Sequence, residues 1–312
     1  MMGRVVVTGG TGQVGRPLVR ALAAAGCEVV VLTRRPEQAR GLVPEAADWV
    51  AFDPELPETW EHTIDGADGV VVLGGAPFFR RWSSWDEFER VATGGRVAAN
   101  RAIVDAIARA EHKPRVLVTG SSVGYYGFEV SEAIVTEDTP AGTDRWAQGT
   151  GRYETEAKRA AQFGIRVVCL RTGIVFSPDD GMAAQMADQF RRGFGAVILP
   201  GTQWLPWIHI DDEVALIMLA LNDDRVTGGL NASSPNPARY REYAAALGHV
   251  FGRRVRLRLP GLVMRLALKD IAEAVLYNRR MVPAKALGLG FEFTHPDLEP
   301  ALHDLLTARG GR

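Results

Sequence analysis

The chain has 312 residues, 46% of them hydrophobic and 23% charged, and its 36 Lys and Arg against 37 Asp and Glu leave a net charge of -1. This size and balance suit one large α/β domain plus a smaller lobe, and they exclude a disordered or fibrous chain. Near-neutral charge gives no electrostatic reason to expect nucleic acid or an anionic membrane as partner, and no run nears the ~18 apolar residues of a membrane span, so a small-molecule partner is expected.

Residues 5–8, 28–32, 49–52, 69–73, 116–119 and 165–170 are short β-branched runs, apolar almost throughout, as expected of parallel strands covered on both faces. Between them, residues 13–25, 86–110 and 146–163 carry helical spacing and good helix formers. The pattern predicts a doubly wound parallel Rossmann sheet over residues 1–175. After Arg171 the alternation fails. Residues 208–210 read as a strand leading into an acid-capped helix over 211–221, and residues 205–232 are expected to rejoin the sheet domain. Residues 176–204 and 233–312 are assigned to a smaller, mainly helical cap lobe.

Cys27 and Cys169 are the only cysteines, which excludes a disulfide framework and fits a reducing compartment. The chain enters its first glycine turn after an apolar stretch too short for a signal peptide, so a cytoplasmic protein is expected. The six histidines show no metal-ligand spacing among themselves or with cysteine, and no metal is expected.

Residues 8–15 read Thr-Gly-Gly-Thr-Gly-Gln-Val-Gly, between the first strand and the first helix. Gly9 allows a sharp turn, Gly12 removes the Cβ that would hold a pyrophosphate off the backbone, and Gly15 lets helix and strand pack closely. Thr11, Gln13 and Val14 complete the turn, whose helix N-terminus offers N–H groups to phosphates. Arg34 and Arg35 stand beyond the second strand, where an NAD site carries an acid. A guanidinium there binds a 2′-phosphate, so NADP(H) is the expected cofactor. Asp53 is a candidate acceptor for the adenine amine, or else a turn residue before Pro54. Leu73, Gly74 and Gly75 end the fourth strand and leave room for the cofactor.

Further motifs are Gly-Ser-Ser-Val-Gly-Tyr-Tyr-Gly at 120–127, Leu-Arg-Thr-Gly-Ile-Val at 170–175, Trp-Ile-His-Ile-Asp-Asp at 207–212, Asn-Ala-Ser-Ser-Pro-Asn-Pro at 231–237 and Gly-Phe-Glu-Phe at 290–293. With the glycine turn and the Arg pair, they span nearly the whole chain. In them the sequence resembles the atypical, extended short-chain dehydrogenase/reductases of the NAD-dependent epimerase/dehydratase group, of the YfcH or SulA-like type. The resemblance implies a Rossmann domain with a carboxy-terminal cap and NADP(H) binding. It further implies an oxidoreductase or epimerase acting on a small carbonyl or alcohol. It also implies that Arg96 helps hold the cofactor and that Val175 lies against the nicotinamide.

Short-chain dehydrogenases pair a serine after the fifth strand with a Tyr-x-x-x-Lys, whose lysine lowers the tyrosine pKa for proton transfer. Ser121 and Ser122 are the candidate serines. The dyad is not intact: Tyr153 has Ala157 four residues on and Lys158 one beyond, about 100° further round a helix. Aligning Glu154 with the glutamate that follows the motif puts Trp146 and Thr150 at the dyad positions. Tyr125 and Tyr126 are the alternative proton donors. Arg171 reads as an oxyanion or phosphate ligand, or as a structural post tied to Asp211, Asp212 or exposed carbonyls. His209 reads as a core or interface histidine. Trp204, Trp207 and residues 78–82 are candidate pocket walls. Against the enzyme stands a non-catalytic, NADP(H)-binding regulator. RNA binding lacks a basic stripe, and the oligomeric state is left as monomer or homodimer.

Overall fold

The computed structural model describes residues 2–76, 82, 84–128, 131–178, 181–192, 196–199, 201–252, 257–260 and 279–307. In chain order, β1 (Arg4–Thr8), α1 (Gly15–Ala24), β2 (Glu28–Thr33), α2 (Pro36–Leu42), β3 (Asp48–Ala51) and β4 (Gly69–Val72) come first. Then α3 (Trp85–Phe88), a π-helical turn (Glu89–Thr93) and α4 (Gly94–Arg109) occupy the stretch that sequence periodicity reads as one helix. β5 (Val116–Ser122), the short β6 (Ile134–Val135), α5 (Arg145–Lys158), β7 (Arg166–Thr172) and β8 (Ile174–Phe176) follow.

Seven strands form one parallel sheet when β12 (Gly228–Ala232) is added beside β7, in the order β3-β2-β1-β4-β5-β7-β12. All six strands expected from sequence lie in it. Alternate side chains of each strand point to opposite faces. Val5, Val7, Val29, Val31 and Val71 pack on α1 through Leu18 and Leu22. Val6, Val30, Leu32, Val70 and Val72 face α4 and α5 through Ile103, Ile107 and Ala157. Burial on both sides is why these runs are continuously apolar.

Beyond β8 the chain forms α6 (Gly181–Arg191), β9 (Ala196–Leu199), β10 (Trp204–Leu205), β11 (Trp207–His209) and α7 (Ile210–Asn222), the last before β12. Next come β13 (Ala238–Arg239), α8 (Tyr240–Val250), β14 (Leu257–Pro260), β15 (Arg280–Met281), α9 (Ala284–Gly288) and α10 (Leu298–Thr307). Among the described residues, four two-stranded ribbons, β8/β11, β10/β13, β9/β14 and β6/β15, supplement the helices. A second core joins Phe176, Trp207, Phe190, Tyr243, Leu247 and Leu302. The expected strand at 208–210 is thus β11, paired with β8 and outside the main sheet.

The acids expected to cap α7 do not cap it. His209 does, its Nδ1 accepting the Asp211 N–H at 3.1 Å. Asp212 instead accepts the backbone N–H groups of Thr294 and His295 at 2.8 and 3.0 Å, fastening the chain before α10 onto α7. Among the described residues no helix is long and apolar enough to cross a membrane.

Candidate dinucleotide site

The strand order reverses at β1, which is flanked by β2 on one side and β4 on the other, and ligands of such sheets bind at the carboxyl ends beside the reversal. The glycine turn lies there. Gly9 has φ 72°, and a Cβ on it would meet Gly74 N at 2.8 Å. A Cβ on Gly15 would stand 2.1 Å from the Gly9 carbonyl oxygen. Neither position admits a side chain while the turn keeps its shape. The Gly12 N–H donates to Gly9 O at 3.0 Å. Thr8 ties the turn to the end of β4, its carbonyl accepting Leu73 N–H and its hydroxyl accepting Gly74 N–H, both at 3.2 Å.

α1 begins without a side-chain cap and without an acid in its first turn. Its N-terminal N–H groups and partial positive charge suit a pyrophosphate. Gln13 Nε2 donates to the Val175 carbonyl at 3.3 Å, joining the turn to the middle of β8. Val14 and Val175 each touch both the sheet core and the second core. Thr11 is half-buried and Gly12 exposed.

Arg34 and Arg35 are exposed just beyond β2, with Arg35 Nη1 donating to Gln38 Oε1 at 3.4 Å. Asp53 heads a turn. Its carboxylate accepts Glu55 N–H at 3.0 Å and its carbonyl accepts Trp60 Nε1–H at 2.8 Å. Arg96, in the first turn of α4, donates to Ala92 O at 3.1 Å, and its Cζ lies 2.5 Å from where a Cβ on Gly75 would be. Arg96 therefore lies against Gly75 at the end of β4.

The four candidate proton-handling residues separate into two kinds. Ser121 donates to Glu154 Oε1 at 2.6 Å, and the Tyr126 hydroxyl donates to Asn231 Oδ1 at 2.6 Å while accepting from Arg171 Nη1 at 3.0 Å. Burial, opposed in part by Arg171, pushes the Tyr126 phenol up to about 12. Ser122 accepts Gly124 N–H at 2.9 Å, and the O–H of Ser122 donates to no described group. The Tyr125 ring lies 3.4 Å below the Arg171 guanidinium and 5.8 Å from Lys158 Nζ.

Arg171 is tied to neither Asp211 nor Asp212. Its carboxylate partner is Glu154, bound at 3.1 and 3.2 Å through Nε and Nη2, and its Nη1 reaches the Glu137 carbonyl at 3.5 Å, one of the carbonyl contacts expected of a structural post. Lys158 reaches the same carboxylate at 2.9 Å from one turn along α5. Burial alone would raise the Glu154 carboxyl, but Arg171, Ser121 and Lys158 together hold it below the ordinary range. The i, i+4 spacing of Glu154 and Lys158 was the only sequence signal for this network. Trp146 and Thr150, at the dyad positions in the alternative register, are both buried. Trp146 packs on Trp85 and Phe88 with ring centroids 4.6 Å away in each case, and Trp82 joins this cluster. Residues 78–81 lie outside the described residues. Trp207 is fully buried and stacked on Phe176, so it belongs to the core, whereas Trp204 lies between Arg239 and Arg280.

Sequence reasoning passed over Glu213, which is buried with Oε1 accepting from Thr172 Oγ1 at 2.7 Å and Oε2 unpartnered. Burial pushes its carboxyl up to about 8. The native state therefore keeps a proton that the unfolded chain releases near about pH 4.3, and wild-type stability falls as pH rises between those values. Glu213→Gln is expected to raise the unfolding midpoint at about pH 8 and to leave it nearly unchanged below about pH 4. Thermal unfolding of both proteins across that range reads the difference. A constant offset at every pH would refute the assignment.

A parallel sheet with a glycine turn at its reversal point defines a Rossmann-type, dinucleotide-binding class of protein. A family model described as the NAD dependent epimerase/dehydratase family matches residues 5–231, and the chain belongs to that family. Residues 259–305 match a second model, described as a domain of unknown function, DUF1731. An Arabidopsis thaliana protein named epimerase family protein SDR39U1 homolog, chloroplastic, is 34% identical over 97% of this chain and 86% of its own. An epimerase family protein of Mycobacterium tuberculosis is 32% identical over 98% of both chains. The crystal structure of human epimerase family protein SDR39U1 with NADPH superposes with a TM-score of 0.84 at 30% identity, covering 97% of this chain and 99% of that one.

Proposed function

We propose that the chain binds NADP(H) and acts as an oxidoreductase or epimerase on a small carbonyl or alcohol, as an atypical short-chain dehydrogenase/reductase. The observation that carries the reading is the Gly9–Gly15 turn seated against the end of β4 at the sheet's reversal point. The NADPH in the human SDR39U1 structure supports the choice of cofactor. In this reading the turn and the start of α1 hold the pyrophosphate, Arg34 and Arg35 the 2′-phosphate, and Arg96, Leu73, Gly74, Gly75 and Val175 the remainder. The bound cofactor supplies hydride transfer. Of the hydroxyls, Ser122 and Tyr125 are the ones left to handle a substrate proton, because Ser121 and Tyr126 give theirs to Glu154 and Asn231. We read the protein as cytoplasmic, which two free thiols fit, although the Arabidopsis relative is named as chloroplastic.

A second reading, a non-catalytic NADP(H)-binding regulator, is favoured by one observation: buried Trp146 and Thr150 stand where a Tyr-Lys dyad would be. Single-turnover oxidation of NADPH against a panel of small aldehydes and ketones separates the two. Turnover that Ser122→Ala lowers by about 100-fold supports the enzyme, and tight binding with no turnover supports the regulator.

Arg34→Ala is expected to narrow the preference for NADPH over NADH by about 10-fold or more, since one charge-assisted contact to the 2′-phosphate is lost. Fluorescence titration with both nucleotides measures the ratio. An unchanged ratio would remove Arg34 as its determinant.

A further inference from the structure

We propose a divalent transition-metal site of the zinc class, formed by His209, Asp211, His295 and Asp304 where the start of α7 meets the chain before α10 and α10 itself. One ligand atom from each of the four lies within 4.8 Å of all the others. His209 Nε2 stands 3.5 Å from Asp304 Oδ2, and His295 Nε2 stands 3.6 Å from Asp211 Oδ2. These separations exceed hydrogen-bond lengths of about 2.7–3.2 Å, and they match the edge of about 3.4 Å in a tetrahedron with metal–ligand bonds of about 2.1 Å.

The second observation is independent of that spacing. His209 is 1% exposed, and its Nε2 is buried with no hydrogen-bond partner while facing the Asp304 carboxylate. Buried polar atoms nearly always have a partner, so this nitrogen marks a position where one belongs. Two imidazoles with two carboxylates leave a negative charge that a single divalent cation offsets. That mixed nitrogen and oxygen donor set suits zinc better than magnesium, which prefers oxygen alone, or copper(I), which prefers sulfur. Asp211 and Asp304 are more than half exposed, so an ion has a route in from solvent.

Ligation requires two adjustments. The two imidazole rings stack at 3.7 Å with 27° between their planes, and His295 must turn out of that stack to bring its lone pair toward His209 Nε2. Metal at His209 Nε2 leaves the ring proton on Nδ1, so the cap bond from Asp211 N–H is given up. The bound ion would then staple α10 to the start of α7, reinforcing the fastening that Asp212 makes with the backbone of Thr294 and His295.

Calorimetric titration of the full-length, EDTA-treated chain with Zn2+, and the visible spectrum of the chain loaded with Co2+, test the site. The expected results are one Zn2+ per chain, the intense d–d absorption of four-coordinate Co2+, and a raised unfolding midpoint with Zn2+. Asp304→Asn and His295→Gln should each weaken Zn2+ binding by about 10-fold or more, while their midpoints in EDTA stay near that of the wild type. Failure to bind stoichiometrically, or wild-type affinity in both variants, overturns the proposal. So does a metal-independent stabilisation on mild acidification that Asp304→Asn abolishes, because the cation in the cluster would then be a proton.

Discussion

Gly15→Ala is expected to lower NADPH affinity by at least about 100-fold, or about 2.7 kcal/mol. The methyl group would stand 2.1 Å from the Gly9 carbonyl oxygen and 2.7 Å from Gly10 Cα, and both obstacles are backbone. The turn can admit it only by moving away from α1, which takes the N-terminal N–H groups out of register with a pyrophosphate. Overall stability should suffer less than binding, because the sheet core does not depend on the cradle's shape. Isothermal titration gives the affinity and urea unfolding the stability. Gly26→Ala is the control: its φ is 81°, so some strain is expected, but no atom lies within 4 Å and binding should be unaffected. Equal losses in the two variants would show that Gly15 matters through folding alone.

The second large effect belongs to Glu154. Glu154→Gln is expected to destabilise the chain by about 3–5 kcal/mol, because it leaves the buried Arg171 guanidinium without its carboxylate. Arg171 is 4% exposed, so water cannot replace the lost partner. Glu154→Gln combined with Arg171→Met should recover part of the loss, since removing both charges costs less than stranding one. Because the Glu154 carboxyl is held below its ordinary range, its contribution is complete above the unfolded value of about 4.3 and fades as pH falls through the lower folded value. The gap between wild type and Glu154→Gln should therefore close in acid. A gap of under about 1 kcal/mol at neutral pH would mean that the network is not the post holding β5, β7 and α5 together.

The sheet domain was legible because each of its signals is local. A strand buried on both faces writes a continuous apolar run, and a glycine turn between such a run and a helix has one architectural meaning. The same logic explains what escaped. β12 reads Gly-Gly-Leu-Asn-Ala and carries no strand propensity of its own, yet pairing with β7 makes it the seventh strand. β8 and β11 have three residues each and find one another only in the folded chain. The interruption of the helix before α4 by a π turn has no sequence mark that distinguishes it from a continuous helix.

The candidate site divides along the same line. Gly9, Gly12, Gly15, Leu73, Gly74 and Gly75 are adjacent in the fold because strand order brings the ends of β1 and β4 together, which sequence pattern anticipates. Sequence leaves Arg171 open between an anion ligand and a post tied to the acids of α7 or to carbonyls, and the Glu137 carbonyl does lie 3.5 Å from its Nη1. The carboxylate that holds it comes from α5, across the sheet's other face. His209 is the buried histidine expected from sequence, but its meeting with His295 escaped, because ligand spacing along the chain says nothing when two residues meet only through tertiary packing. Asp212 has the sequence position of a helix cap, and tertiary structure uses it as an anchor.

On the function proposed above, the Gly9–Gly15 turn holds a phosphorylated nicotinamide dinucleotide. Equilibrium titration of the wild-type chain with NADPH and with NADH, followed by nicotinamide fluorescence, tests it most directly. The expected result is one saturable site per chain, with NADPH bound tighter than NADH by at least about 10-fold. Failure of either nucleotide to saturate, or NADPH binding that survives Gly15→Ala undiminished, would contradict it.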